Sequence, residues 1–259
     1  MQELTLGYAL FLGLLQGITE WLPISSSGHL VLFQSLLGIS VPPEFDIVIM
    51  AGTIAALILY FRVRILSLLT GLVNGERYAT RYCFFIVIAG IATALIGFSG
   101  KHFFIGLYTQ PFIVSLLLVV TGIFLFIASR PRVHDGDING KSALVIGIAQ
   151  GIAVAPGISR SGSTIGAALL LGIKPQEAAE FSFILGIPTM IAASVITFFD
   201  GPMVGVPAVL LVVAIMAAFI AGYASIGIFM KLFRENHLDI FAYYCIIAGC
   251  VFAILITFQ

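Results

Sequence analysis

Glu20, Ser26, His29 and Arg160 are the side chains of this sequence best suited to chemistry. Glu20 lies four residues after Gln16, so on one helix both face the same way. A carboxylate there can bind a divalent cation or move a proton; the plainer alternative is a protonated Glu hydrogen-bonded within a helix interface. Magnesium suits a single carboxylate, because it takes its other ligands from substrate phosphates and water. Ser25-Ser26-Ser27-Gly28 and Ser159-Arg160-Ser161-Gly162 each stand directly before an apolar helix. Serine at such a place caps the helix, yet a helix start also offers free N–H groups and a positive dipole end that suit phosphate. The planar fork of Arg160 matches phosphate oxygens; it could equally neutralise Glu20. His29 can serve as general acid or base, or simply hydrogen-bond at the helix start. His102, His134 and His237 fall in expected loops and read as solvated, as do Asp135 and Asp137. Cys83, Cys245 and Cys250 lack metal-ligand spacing and read as small buried side chains.

The elements that carry these residues are set by composition. Of 259 residues, 60% are hydrophobic and only 9% charged, far from the roughly 45–50% and 25% of soluble domains. Lys plus Arg and Asp plus Glu are 12 each, so the net charge is zero. That excludes a nucleic-acid binder and a disordered chain. An all-α integral membrane protein remains. The first residues lack a positive n-region, so no cleaved signal peptide is expected.

A spanning helix needs about 20 apolar residues. Six stretches approach this: 46–61, 82–99, 111–129, 178–199, 206–230 and 239–258. Two more, 5–39 and 142–173, are broken by Pro, Gly and Ser. Such breaks do not face lipid, where unpaired backbone is costly. Both are read as re-entrant helix hairpins, the alternative being paired spans joined by a surface loop. With six crossings and two hairpins, ten of the twelve Lys and Arg residues gather on one face, Lys101 lies on the other, and Arg160 sits within a break. The positive-inside rule makes the ten-residue face cytoplasmic. Both termini and the opening of the site are then extracytoplasmic, in a plasma (inner) membrane.

The two broken segments overlay at an offset of 134 residues. Gly13, Gln16, Gly17, Ser25, Ser27 and Gly28 fall on Gly147, Gln150, Gly151, Ser159, Ser161 and Gly162. The chain is therefore expected to be one membrane domain, 1–259, built from repeats 1–130 and 141–259. Each has one hairpin and three crossings, so the second is inverted and the breaks meet near the midplane. Within this repeat Glu20 overlays Val154, Ser26 overlays Arg160, and His29 overlays Ser163. An ionisable residue within the membrane is by default a functional-site hypothesis.

Gln16-Gly17-Ile18-Thr19-Glu20 with Pro23-Ile24-Ser25-Ser26-Ser27-Gly28-His29, and Pro156-Gly157-Ile158-Ser159-Arg160-Ser161-Gly162-Ser163-Thr164, resemble the two motifs of the bacitracin-resistance type of undecaprenyl-diphosphate phosphatase. The resemblance covers nearly the whole chain. It implies a membrane hydrolase that converts a polyprenyl diphosphate lipid to the monophosphate carrier of cell-wall and surface-glycan synthesis. It also implies a divalent cation, Mg2+ or Ca2+, with Glu20 as its ligand. Glu20, Ser26, His29 and Arg160 carry over as the catalytic set. Ser159, Ser161 and Thr164 carry over as phosphate contacts, with Gln16, Ser25 and Ser27 completing the substrate-binding set. Many family members have Glu where this chain has Gln16, and an amide is neither a base nor an anionic ligand. Two attackers stay open: Ser26 assisted by His29, which is preferred, or a metal-bound water activated by Glu20. A rival reading keeps the architecture and makes it a polyprenyl-phosphate flippase or a transporter of a phosphorylated solute. The sequence fixes no oligomeric state, and a homodimer is one it allows.

Overall fold

The computed structural model describes residues 3–130, 135–200, 205–234 and 237–259. Among the described residues the regular secondary structure is entirely helical: α1 Leu6–Trp21, α2 Ser26–Leu37, α3 Pro43–Tyr60, α4 Arg62–Val73, α5 Arg77–Ser99, α6 Lys101–Leu107, α7 Pro111–Ala128, α8 Gly140–Ile152, α9 Arg160–Leu170, α10 Pro175–Asp200, α11 Ala208–Arg234 and α12 Leu238–Thr257. A β bridge between Gly136 and Ile173 ties the linker to the end of the second broken segment. Arg132 and His134 of that linker lie outside the described residues.

Helices α5, α7, α10, α11 and α12 are each long and apolar enough to cross a membrane. Helix α3 qualifies jointly with α4, from which it is bent by 72°, and it covers the remaining expected span. Their outer faces are made of exposed aliphatics such as Val87, Ile91 and Leu95 on α5, spaced one turn apart. In water such a surface would aggregate; against lipid tails it is the natural outside. Both broken stretches form helix–break–helix hairpins, α1–α2 and α8–α9, as expected. Helices α4 and α6 were not expected. Helix α4 has only 12 residues and arginines at its start, and α6 has seven, so neither stands out against a background of longer apolar runs.

Small residues let the hairpins seat deeply. Helix α1 packs along α11, and α8 packs along α5. A Cβ at Gly13 would collide with the carbonyl oxygen of Ala214, and one at Gly147 with that of Ala89. Equivalent positions of the two broken segments thus approach a partner backbone in the same way. An aromatic cluster closes the core behind the hairpin tips: Trp21 meets Phe183 edge to face at 5.6 Å, and Phe183 meets Phe61 and Phe229. Of the cysteines only Cys245 is buried; Cys83 is half-buried and Cys250 exposed. Burial is not needed for thiols on helix faces that meet lipid.

Candidate active site

Each hairpin breaks at a serine-capped helix start. Ser25 accepts a hydrogen bond from Gly28 N through its Oγ (3.2 Å), and Ser159 does the same for Gly162 N (3.0 Å). Ser25 sits at φ 66, the only non-glycine residue at positive φ among those described. This conformation is costly for an L-residue and persists only where neighbours hold it. The neighbour is the other hairpin: Gly157 N donates to Ser25 Oγ (3.1 Å) and Ser161 Oγ donates to Leu22 O (3.1 Å). The two tips therefore touch directly, as the repeat predicts.

At this junction the charged pair forms. Arg160 Nη2 donates to Glu20 Oε1 at 2.7 Å, with both side chains largely buried. The second carboxylate oxygen, Oε2, accepts from Gln16 Nε2 (3.0 Å) and from Ser26 Oγ (2.5 Å). Glu20 thus gathers the amide, the hydroxyl and the guanidinium from three stretches of sequence. Arg160 is held on several sides: its Nη2 also reaches Met190 Sδ (3.1 Å), and its guanidinium lies 5.1 Å from the centre of the Trp21 ring. Its Nη1 is buried against Gly186 and, among the described residues, has no acceptor. A buried charged donor left unpaired is expensive, and a phosphate oxygen is a partner that would satisfy it.

The hydroxyls divide into two groups. Ser26 and Ser27 are partly accessible. Ser25, Ser159, Ser161 and Thr164 are at most 3% exposed, and their oxygens are engaged within the protein. Thr164 Oγ1 bonds the carbonyl of Arg160 (2.9 Å) and the hydroxyl of Ser182 (2.5 Å). Ser25 and Ser161 thus link the two tips, Ser159 caps α9, and Thr164 ties α9 to α10, while Ser26 and Ser27 are the more accessible hydroxyls beside Arg160. His29 also departs from its expected partner. Its Nδ1–H donates to Ser25 O (2.7 Å), which leaves Nε2 to accept from the Tyr244 hydroxyl (2.8 Å). The ring stacks on Tyr244 and meets Phe252 edge to face. It braces the strained Ser25 carbonyl, while Ser26 turns to Glu20.

Several neighbours of the site carried no sequence signal. Trp21, Met190 and Gly186 resemble any apolar helix residue, and Tyr244 is 215 positions from His29. Tyr108, in the α6–α7 turn, lies near the Ser27 side chain and is partly exposed. A groove of about 400 Å3 runs between α3 and α10, lined by Ala51, Ile54, Ala55, Ile58, Ile191, Ser194 and Val195. Its residue Ser194 lies one helical turn beyond Met190 on α10.

The chain matches the family model for "Bacitracin resistance protein BacA" over residues 9–251. It belongs to the BacA family. Among curated relatives, "Undecaprenyl-diphosphatase" of Syntrophotalea carbinolica is 42% identical over 255 residues, covering 95% of this chain and 97% of that protein. "Undecaprenyl-diphosphatase" of Methanosphaera stadtmanae is 37% identical, with 95% and 96% covered. "Undecaprenyl-diphosphatase 1" of Bacillus cereus is 39% identical, with 93% and 94% covered. The BacA match spans both hairpins, so it includes every residue that meets at Glu20.

Proposed function

We infer that this chain is an undecaprenyl-diphosphatase, an integral-membrane hydrolase that releases phosphate from undecaprenyl diphosphate and returns the monophosphate carrier to cell-wall and surface-glycan synthesis. Family membership and relatives of that name over nearly the full length support the reaction. The observation that carries the mechanism is the convergence on Glu20 of Ser26 Oγ and Arg160 Nη2 from opposite hairpins.

The diphosphate enters from the Ser26–Ser27 side, and its terminal phosphate meets Arg160, whose Nη1 gains an acceptor. N–H groups in the first turns of α2 and α9, which no helical carbonyl can reach, add donors on both sides. Glu20 takes the proton of Ser26 as Oγ attacks the terminal phosphorus. The bond to the bridging oxygen breaks, its electron pair leaves with the undecaprenyl monophosphate, and Glu20 returns the proton to that leaving group. Water, losing a proton to Glu20, then attacks the phosphorus of phospho-Ser26; the Oγ–P bond breaks, Glu20 passes the proton to the departing Ser26 oxygen, and inorganic phosphate is freed. Positioning and charge supply most of the acceleration of such a transfer. His29 acts through Ser25, fixing the backbone from which Ser26 projects. The isoprenoid tail follows the apolar α3–α10 groove into lipid.

The donor chemistry decides what a divalent cation could do. Among the described residues no group of three or more acidic, His or Cys side chains is placed to hold a metal, and both Glu20 oxygens already have cationic or neutral donors. A cation would have to bring most of its ligands from the diphosphate, as Mg2+ readily does and Ca2+ can, with Glu20 as the one carboxylate at hand. Bound so, it would offset charge on the departing monophosphate.

Inverted repeats 1–130 and 141–259 are supported by the matched serine caps and glycine contacts. The arginine-rich face is taken as cytoplasmic and the site as opening extracytoplasmically, in the inner membrane. A homodimer is compatible with this arrangement. The test is phosphate release from undecaprenyl diphosphate by purified protein in detergent, with and without chelator. Wild type should turn over, while folded Glu20→Ala and Arg160→Ala should lose at least about 10³-fold. A flippase needs a sealed bilayer, so wild-type protein inert in detergent would overturn the hydrolase reading.

A further inference from the structure

Helix α4 has three unlike sides. At 100° per residue, Ile65, Leu68 and Gly71 share one side, and Leu68 and Gly71 are buried against α5, where Gly71 abuts Ala79 and Glu76. Leu66, Leu69 and Val73 share the second side and are 59%, 52% and 86% exposed. Ser67 and Thr70 lie on the third, also exposed, with Val63 of the first turn between them. A helix buried in hydrocarbon has no use for a hydroxyl strip, and one in water has none for the leucine strip. The pattern belongs at the boundary between them.

The orientation is fixed. Helix α4 leaves the end of α3 at 72°. Arg64 then clamps it: Nε pairs with Glu180 on α10 (2.7 Å), Nη2 bonds the Tyr78 hydroxyl (2.7 Å), and the guanidinium packs on the rings of Tyr78 and Tyr82. Arg64 is therefore engaged. Arg62, Arg77 and Arg81 remain exposed at the two ends of the helix, against a single acid, Glu76.

We propose that α4 lies flat in the headgroup layer on the arginine-rich side and, with the start of α5, binds anionic phospholipid. Leu66, Leu69 and Val73 enter the acyl boundary, Ser67 and Thr70 face water, and Arg62, Arg77 and Arg81 collect phosphodiester headgroups. Each basic residue near such a surface contributes enough that losing two should cut anionic preference by about an order of magnitude.

The experiment is native mass spectrometry of the full chain released from nanodiscs of equal phosphatidylglycerol and phosphatidylcholine. Wild type should retain phosphatidylglycerol in preference, and Arg77→Gln/Arg81→Gln should lose about tenfold of that preference while keeping full phosphate release in detergent. Lys141→Gln, which removes an exposed charge elsewhere on the same face, should keep it. An equal loss with Lys141→Gln, or no loss with the double variant, overturns the proposal. So does a lipid-free pair of chains that Leu69→Glu dissociates, because α4 would then be an interface between copies.

Discussion

The two hairpins are built alike and equipped differently. Ser25 and Ser159 cap their helices through the same bond to a glycine N–H, and Gly13 and Gly147 seat their first arms against a partner backbone. At the positions proposed to do chemistry the two hairpins differ. The counterpart of Glu20 is Val154, 40% exposed, and the counterpart of Ser26 is Arg160. Even the shared glutamine has two uses: Gln16 donates to Glu20, whereas Gln150 donates to Thr93 and Thr189, its carbonyl oxygen having no partner among the described residues. Similar caps and glycine contacts bring two breaks to one place; different side chains then supply acid and hydroxyl from one side and a fixed cation from the other.

The sharpest way to break this division lies on α10. A methyl group at Gly186 would meet Arg160 Nη1 and push the guanidinium away from Glu20. Gly186→Ala should lower kcat/KM by about 10²-fold, the scale of an ångström of misplacement, with the melting temperature little changed. Unchanged kinetics would mean that Arg160 is not held where activity needs it.

The glutamine pair gives a smaller and more selective contrast. Gln16→Leu removes a hydrogen bond to a carboxylate, typically about 1.5–3 kcal/mol, and should cost roughly 10- to 100-fold in turnover. Gln150→Leu removes two bonds to neutral hydroxyls together with a buried unpaired oxygen, and should stay within about threefold of wild type. Steady-state phosphate release measures both; equal losses would erase the functional difference between the halves.

The smallest effect should come from a cap. Ser159→Ala loses its bond to Gly162 N, which costs about 1 kcal/mol of stability. Thermal unfolding in detergent should shift by a few degrees while KM holds. A large rise in KM with no stability change would return Ser159 to the phosphate.

Much of this was written in the sequence. Apolar runs near 20 residues mark the spans because only such lengths bridge the bilayer, and the Pro-, Gly- and Ser-rich breaks mark the hairpins because lipid forbids open backbone. Residue type could also nominate Glu20, Ser26 and Arg160, since ionisable groups are rare in this composition. It could not separate Ser26, whose hydroxyl turns to Glu20, from Ser159 and Ser161, which are engaged in a cap and a cross-link; all three are serines before apolar helices. The bond between His29 and Tyr244 and the enclosure of Arg160 by Trp21, Met190 and Gly186 depend on helix packing across the chain. Helix α4 escaped notice because its apolar pattern is three-sided and ends after 12 residues.

The account turns on Ser26 as the attacking hydroxyl with Glu20 beside it. Rapid-quench reaction with undecaprenyl diphosphate labelled in its terminal phosphate, followed by peptide mapping, tests this directly. A labelled peptide containing Ser26 should appear before phosphate is released and should vanish in Ser26→Ala, along with turnover. Wild-type phosphate release by folded Ser26→Ala would contradict it.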